Sequence, residues 1–411
     1  MTAPASSPAA ASSSPWSVFV AFLRMGLISF GGPIAHLGYF RDEFVGRRKW
    51  LDDATYADLV ALAQFLPGPA SSQVGLSLGL LRGGAPGMFA AWLGFTLPSA
   101  VIMVLFAYGV HAWGDVAGAG WMHGLKAMAV AVVTQAVWSM GRGLCPDART
   151  ATMAAGAAAI VVGWPLVFGP VAGGQVAAIA AGGILGRLLL EGRVPEGGEE
   201  HQFRIGRGVA VGCLVLFFVL LAGLPLLALA TASPGIAIVD GFYRAGSLVF
   251  GGGHVLLPLL QAVVVPPGWV DTHTFLAGYG AAQALPGPLF TFAAYLGTTM
   301  QAGPGEWLGG LVCLLAVFAP SFLLIAGALP FWNALRARVG VRSALAGVNA
   351  AVVGVLLAAL YDPVWTGTVH GPADFVLVVA ALTMLMIWKW PPWLVAIAAA
   401  ILGAGFGALL P

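Results

Sequence analysis

The fold is decided by residues 22–79, which read FLRMGLISFGGPIAHLGYFRDEFVGRRKWLDDATYADLVALAQFLPGPASSQVGLSLG. Two breaks interrupt this mainly apolar stretch, Phe30-Gly31-Gly32-Pro33 and Leu66-Pro67-Gly68-Pro69. Both recur near the middle of the chain, as Phe250-Gly251-Gly252-Gly253 and Leu285-Pro286-Gly287-Pro288. Proline lacks a backbone N–H and glycine costs backbone entropy, so neither suits a helix interior. Because lipid tolerates a broken helix only where the freed backbone faces protein or a wet cavity, the repeated break indicates a function.

The composition is that of an integral membrane protein. Of the 411 residues, 59% are hydrophobic and 8% are charged, whereas soluble domains carry roughly 25% charged residues. Several apolar runs approach or exceed the roughly 20 residues that a spanning helix needs, among them 87–111, 208–232 and 305–329. These runs are continuous, whereas β-barrel strands alternate polar and apolar residues. We therefore predict an all-α polytopic membrane protein.

The sequence lacks the patterns of several other protein classes. A net charge of +2, without basic clusters that contain aromatic residues, predicts no nucleic-acid partner. The three cysteines are scattered and are expected to be packing residues. There is no Walker A, HExxH, GxSxG or zinc-site pattern, so we expect no cofactor, no metal and no enzymatic activity.

The second half of the chain repeats the first. Six residues between Phe22 and Gly32 recur 220 positions later, and eight between Trp50 and Pro69 recur 219 positions later. Pro98-Ser99 likewise matches Pro320-Ser321. We therefore predict a duplicated chain, which divides into a disordered tail (1–15), a first transmembrane repeat (16–190), a polar linker with a connecting helix (191–239) and a second repeat (240–411).

The basic residues predict how the two repeats are oriented. Lys and Arg prefer cytoplasmic loops. The loop 41–53 carries four of them, whereas the matching loop 265–274 carries none. Conversely, the loop 112–123 has none, whereas its counterpart around 336–342 carries three Arg. Because the charge reverses from loop to loop, we predict repeats of inverted topology.

The number of membrane crossings then constrains the broken segments. If the halves are inverted and a single helix, 208–232, connects them, the first half must begin and end on the inside and the second half must begin and end on the outside. This requires the first broken segment of each half to enter and leave the membrane on the same side. We therefore interpret 16–45 and 240–264 as re-entrant hairpins, with 55–81 and 274–301 as a second pair. The alternative is one long tilted helix through each glycine break.

Inverted repeats with discontinuous helices are typical of secondary transporters, whose sites lie at the repeat interface near the middle of the membrane. The N-terminus of a half-helix presents unpaired N–H groups and a partial positive charge, which together suit an anion. The backbone candidates for substrate binding are therefore Gly31, Gly32, Pro67, Gly68, Pro69, Gly251, Gly252, Pro286, Gly287 and Pro288.

Two arginines, Arg24 and Arg244, each stand six positions before a Phe-Gly-Gly break. The planar guanidinium suits an oxyanion, and a charge within a membrane segment indicates function. The alternative is that these side chains extend to the interface or pair with Asp58 or Asp240.

Polar side chains at the second break are further candidates. Gln64 and Gln283 precede Leu-Pro-Gly-Pro by two residues, where they either bind the ligand or cap freed carbonyls. Ser71, Ser72 and Gln73 follow the first Pro-Gly-Pro. Because hydroxyls in membrane helices often bond to their own backbone, only some of these should contact substrate.

A few ionisable residues are candidates for coupling transport to protons. His36 and His254 lie just past the glycine breaks, as proton carriers or as structural residues; His254 is also a binding candidate. Lys126 lies within an apolar helix, as a charge relay or as a residue that reaches the outer surface. Asp42 and Glu43 adjoin the basic loop, where they either couple protons or form salt bridges.

The motifs together resemble the signature of the chromate ion transporter family. The first half carries Arg24, Phe30-Gly31-Gly32, Glu43, Trp50 and the run Ala63–Pro69 with Gln73; the second carries Phe250–His254 and Ala282–Pro288. Long members of that family are tandem duplications of this length. The resemblance implies secondary export of chromate across the inner membrane, driven by the membrane potential or the proton gradient. Because Gln73 becomes Phe292 in the second half, we expect first-half residues to dominate.

Alternatives remain open at this point. An anion channel on the same architecture, or a transporter of another oxyanion such as sulfate, fits the same residues. A membrane-embedded enzyme acting on a lipid phosphate would need an acidic metal cluster or a nucleophile–base pair, and the sequence shows neither. The expected partners are the oxyanion and the lipid bilayer, with a homodimer as one assembly to test.

Overall fold

The part of the chain that the structure describes is helical and contains no strand. The structure is a computed structural model, and it describes residues 14–30, 32–112, 120–167, 171–190, 205–250, 255–332 and 338–409. The helices are α1 (Pro15–Ile28), α2 (Gly32–Phe40), α3 (Asp53–Phe65), α4 (Ala70–Ala112), α5 (Gly120–Leu144), α6 (Ala148–Val167), α7 (Val171–Leu189), α8 (Arg207–Thr231), α9 (Pro234–Ser247), α10 (Leu256–Val264), α11 (Thr272–Ala284), α12 (Phe292–Thr299), α13 (Glu306–Ala328), α14 (Val339–Ala359), α15 (Pro372–Leu382) and α16 (Pro392–Leu409).

Five of the described helices are long and apolar enough to cross a membrane: Ala70–Val110, Ala148–Val167, Arg207–Thr231, Glu306–Phe331 and Val339–Trp365. Their outer faces expose large apolar side chains; Leu229 of α8, for example, is 81% exposed. Soluble monomers rarely expose contiguous apolar patches above a few hundred Å², so we assign these faces to lipid. The predicted all-α polytopic membrane class is confirmed.

The helices stop where the Gly and Pro motifs predict. In the first half, α1 ends at Ile28 and α2 begins at Gly32, whose φ of 78° is a conformation that favours glycine. Next, α3 ends at Phe65 and α4 begins at Ala70, immediately after Pro67-Gly68-Pro69. The second half stops α11 at Ala284 in the same way.

The two arms of a break lie side by side. In the first half, the rings of Phe22 and Phe44 stack with their centroids 4.7 Å apart, whereas one continuous helix would separate these residues by about 33 Å. In the second half, the Tyr295 hydroxyl donates to the Thr274 carbonyl at 3.0 Å. The chain therefore folds back at the first-half glycine break and at the second-half Pro-Gly-Pro break instead of passing straight through them.

The long helix α4 is bent in its first third. Gly83 and Gly84 have non-helical backbone angles, and Gly84 has a φ of 62°. Gly79 and Gly87 pack against each other across this bend. The bend separates a short arm that follows Pro69 from a long apolar helix, which are the two segments that the sequence predicts.

The halves interlock through α5 and α14, which the repeat places at equivalent positions. The first-half helix α5 packs against α16, whereas the second-half helix α14 packs against α7. At both contacts a glycine, Gly124 or Gly347, abuts a backbone carbonyl of the neighbouring helix. Small residues allow this close approach of helices in a membrane.

Candidate site between the helix breaks

Each Pro-Gly-Pro motif contacts the glycine break of the other half. The Gly68 N–H donates to the Val249 carbonyl at 2.6 Å, and the Gly287 N–H donates to the Ser29 carbonyl at 2.9 Å. Ser29 and Val249 each directly precede a Phe-Gly break, 220 positions apart in the chain. We call Gly68 with its flanking prolines the first tip, and Gly287 with its flanking prolines the second tip.

A small cavity, open on one side, lies between these elements. Its polar lining comes from both halves, with His36 and Ser71 from the first and Gln283 from the second. Gly32 and Pro69, which lie where α2 and α4 begin, also line it. Unpaired N–H groups at those helix starts supply partial positive charge. The cavity is therefore suited to an anion.

His36 is the titratable side chain among the described residues of the cavity wall. It is 2% exposed, its Nδ1 lies 3.2 Å from the Ser71 Oγ, and its ring packs edge-on against Phe95. The protein thus holds the imidazole at the cavity by a hydroxyl on one side and an aromatic ring on the other. The structure places this coupling candidate beside the candidate anion site.

Two hydroxyls that sequence reasoning did not single out lie against the tips. A Cβ on Gly68 would lie 2.8 Å from the Ser321 Oγ, and one on Gly287 would lie 2.8 Å from the Ser99 Oγ. Each serine comes from the opposite half. The repeat match between Pro98-Ser99 and Pro320-Ser321 is the signal that identifies them.

The three predicted glutamines lie in three different places. Gln73 is fully buried beside the first tip, where its Nε2 donates to the Pro67 carbonyl at 2.6 Å. Gln283 lines the cavity and hydrogen-bonds to the buried Tyr279. Gln64 is exposed on α3 and does not contribute to the described cavity wall.

Arg24 lies in a basic cluster and not in the wall of the cavity. Its Nη1 is 3.8 Å from the Glu43 Oε2, and Glu43 also accepts hydrogen bonds from Arg47 and, at 2.7 Å, from Arg48. Burial by itself would raise the pKa of Glu43, but the hydrogen bonds from Arg47 and Arg48 outweigh it and lower the pKa. Asp42, next in the chain, is exposed.

Arg244 occupies a different surface. It forms an ion pair with Asp240 and, with Gln175 and Trp269, lines a groove of about 660 Å³ between α7, α9 and α10. The repeat equivalents Arg24 and Arg244 therefore each pair with a carboxylate. Their role in substrate binding stays a prediction.

Lys126 forms part of a polar cluster at the far end of α11. Its Nζ lies 2.8 Å from the Nδ1 of His273, although the Lys126 residue is only 3% exposed. The ten residues from His273 to Gln283 correspond to about 15 Å along a helix. Lys126 is thus separated from the cavity but packed against the helix that leads to it.

Some predicted site residues lie outside the described ranges, namely Gly31, Gly251, Gly252 and His254. Within the described ranges, no three His, Cys, Asp or Glu side chains are grouped so as to hold a metal ion.

Comparisons with known proteins identify a single family. The family model described as "Chromate transporter" matches residues 16–187 and 236–404. A "Chromate transport protein" of Pseudomonas aeruginosa is 28% identical over 393 residues, which cover 90% of this chain and 87% of the relative. One of the same name from Cupriavidus metallidurans is 24% identical over 93% of this chain and 90% of the relative. No solved structure matches the chain at a significant level.

Proposed function

The chain belongs to the chromate transporter family, and from that premise we propose that it is a secondary transporter that exports chromate across the inner membrane. Its matching relatives are transporters and not enzymes, and the chain is a multi-pass membrane protein. The proposal adds the outward direction, the inner membrane and a drive from the membrane potential or the proton gradient. Sulfate, a tetrahedral dianion of similar shape, is the alternative substrate.

The observation that carries this proposal is the pair of equivalent hydrogen bonds at the tips, from Gly68 to Val249 and from Gly287 to Ser29. These bonds join the halves at their breaks, beside a cavity into which helix starts from the first half face. Secondary transporters place their substrate sites at such an interface between repeats. We therefore assign the oxyanion to this cavity.

The grouping of the loops supports repeats of inverted topology. At one face, the Nη1 of Arg149 donates to the Leu189 carbonyl at 3.3 Å, which joins two segments that carry basic residues. At the other face, the Nδ1 of His123 lies 3.1 Å from the Asp374 Oδ1, which joins the first turns of α5 and α15. The segments that precede these two helices, 112–119 and 362–371, carry no Lys or Arg. Because basic loops favour the cytoplasm, we assign the Arg149 face to the inside and the His123 face to the outside.

Coupling to protons is assigned to the ionisable groups nearest the substrate path. His36 borders the cavity, and Lys126 contacts the helix that carries the second tip. Glu43, held by three arginines, and the exposed Asp42 are the candidates at the inner face. A homodimer is a further proposal, since the lipid-facing apolar helices offer surfaces for it.

The test is chromate flux in liposomes that contain the purified protein, under an imposed membrane potential. We expect uptake that depends on the potential, together with counterflow, in which a chromate gradient drives labelled chromate uphill. Counterflow with the membrane potential clamped at zero distinguishes a carrier from a channel, which then shows none. Loss of flux without any change in detergent stability in His36→Leu would place the site at the cavity. If the wild type showed neither potential-driven uptake of chromate nor counterflow, the proposal would be refuted.

A further inference from the structure

We propose that the first tip recognises the proton of its substrate, so that the transported species is hydrogen chromate and sulfate is rejected. This inference rests on the proposed function and specifies its substrate at the first tip, which borders the cavity through Pro69. It is carried by Gln73 and Ser321, which are fully buried beside Gly68 and which each leave a polar atom without a partner among the described residues.

The Gln73 side chain presents a fixed hydrogen-bond acceptor. Its Nε2 donates to the Pro67 carbonyl at 2.6 Å. A backbone carbonyl only accepts, so the amide nitrogen must face Pro67 and the oxygen must face away from it. That oxygen, Oε1, is buried and finds no hydrogen-bond partner in the described part of the chain. The amide cannot be reversed without leaving Pro67 unpaired, so the acceptor is held in place.

Hydrogen-bond donors surround the same tip. The Ser321 Oγ lies 2.8 Å from the position of a Cβ on Gly68, and it too has no partner among the residues described. Ser72, in the first turn of α4, is 3% exposed and its hydroxyl is likewise unpaired within the described ranges. The start of α4 adds unpaired N–H groups. Because buried polar groups normally have partners, this set indicates a polar ligand.

A fixed acceptor among donors selects for a protonated oxyanion. The O–H of hydrogen chromate donates to the Gln73 Oε1, while its other oxygens accept from the Ser321 hydroxyl and from the N–H groups. Hydrogen chromate is a weak acid that keeps part of its proton population near neutral pH. Hydrogen sulfate is a much stronger acid and loses its proton completely. Sulfate would therefore face the Gln73 oxygen with an oxygen of its own, and a site built around a substrate O–H strongly rejects such an analogue.

The second tip lacks this arrangement. Phe292 stands at the position equivalent to Gln73, and the hydroxyl of Thr291, equivalent to Ser72, donates to the Pro288 carbonyl at 2.9 Å. Selection for the proton therefore belongs to the first tip. The nearest titratable side chain in the described cavity wall is His36, which bonds to Ser71, so its contribution to any pH dependence must be measured separately.

The experiment compares inorganic phosphate, which keeps a proton near neutral pH, with sulfate as inhibitors of chromate counterflow. In the wild type we expect phosphate to inhibit at concentrations at least about tenfold lower than sulfate, the cost of leaving one buried acceptor unpaired. Chromate flux at low substrate concentration should fall as the pH rises from mildly acidic to mildly alkaline, in the wild type and in His36→Gln alike. Gln73→Met removes the acceptor and has a similar side-chain volume. In this variant, phosphate and sulfate should inhibit at equal concentrations, and the dependence of flux on pH should flatten.

Two serine variants complete the design. Ser321→Ala should raise the KM for chromate about fivefold to tenfold, the usual effect of one lost hydrogen bond, without changing the shape of the pH profile. Ser343→Ala is the matched control, because Ser343 is also buried but its hydroxyl donates to the Val339 carbonyl; the KM of this variant for chromate should be unchanged.

Anion binding to the detergent-purified protein, followed as thermal stabilisation, separates this inference from the proposed function. We expect phosphate to stabilise the wild type more than sulfate does, and both to act equally on Gln73→Met. Equal inhibition and equal stabilisation by the two anions in the wild type would overturn the inference while leaving chromate transport intact. A wild type that binds oxyanions with the expected preference but moves no chromate would instead refute the proposed function.

Discussion

Replacing Gly287 by alanine tests the contact between the halves most directly. Gly287 has a φ of 97°, and its N–H donates to the Ser29 carbonyl at 2.9 Å. An added Cβ would lie 2.8 Å from the Ser99 Oγ and 3.2 Å from the Phe95 carbonyl oxygen. The serine hydroxyl can rotate away, but the backbone carbonyl cannot. We therefore expect the second tip to shift and its bond to Ser29 to weaken.

The magnitude follows from two separate costs. An alanine forced into this backbone conformation costs about 1–3 kcal/mol, and crowding in a packed interior adds about 1–3 kcal/mol. Gly268 provides the control, because it has a φ of 74° but no atom within 4 Å of an added Cβ. Gly268→Ala should therefore carry only the first cost. The expected loss of stability is about twice as large at Gly287.

The assay pairs two measurements on both variants. Unfolding of large membrane proteins is often irreversible, so apparent melting temperatures in detergent must be compared at one heating rate. Chromate flux in liposomes is measured on the same preparations. Gly287→Ala should melt lower than Gly268→Ala and should lose most of its flux, whereas Gly268→Ala should keep it. Equal melting temperatures with equal flux would refute the claim that the tip contact organises the site.

Three further predictions can be checked independently. Glu43→Gln should lower the melting temperature. Because the pKa of Glu43 is depressed in the folded protein, this carboxylate stabilises the fold above its unfolded pKa, and the stabilisation is lost as the pH falls through the folded pKa. The melting temperatures of wild type and variant should therefore converge in acid. In a background without native cysteines, Thr272→Cys should react with an impermeant maleimide from outside and Arg149→Cys only from inside; labelling of both from one face would contradict inverted topology. His36→Gln should lower the maximal rate of chromate flux, because it changes a side chain of the cavity wall, while the rate still falls with rising pH as in the wild type; a variant with the wild-type rate would remove His36 from coupling.

Local chemistry is what the sequence predicts best in this protein. Proline and glycine act on their own backbone, so the ends of α1 and α3 follow directly from the two motifs. The membrane class follows from composition, because 8% charged residues cannot cover a water-exposed surface of this size. The family follows from the same motifs and is confirmed by a match over both halves. The inverted arrangement of the repeats stays a prediction.

Contacts between residues far apart in the chain do not follow from the sequence. The repeat predicts the same role for Gln64 and Gln283, yet Gln283 lines the cavity and Gln64 is exposed. Equivalent positions in two repeats need not share an environment, since the facing residues differ between the halves. Arg24 illustrates a second reason, because its partner Glu43 comes alongside only when the chain folds back at the break.

The sequence by itself determined where the helices break, that the chain lies in a membrane and that its two halves correspond, because these properties depend on each residue and its neighbours along the chain. Only the tertiary structure decided that Gly68 bonds to Val249, and that Ser321 of the second half lies against a tip of the first. Such pairs are separated by about half the chain. Their meeting depends on how two sets of helices pack, and packing is a property of the whole assembly of side chains rather than of any one segment.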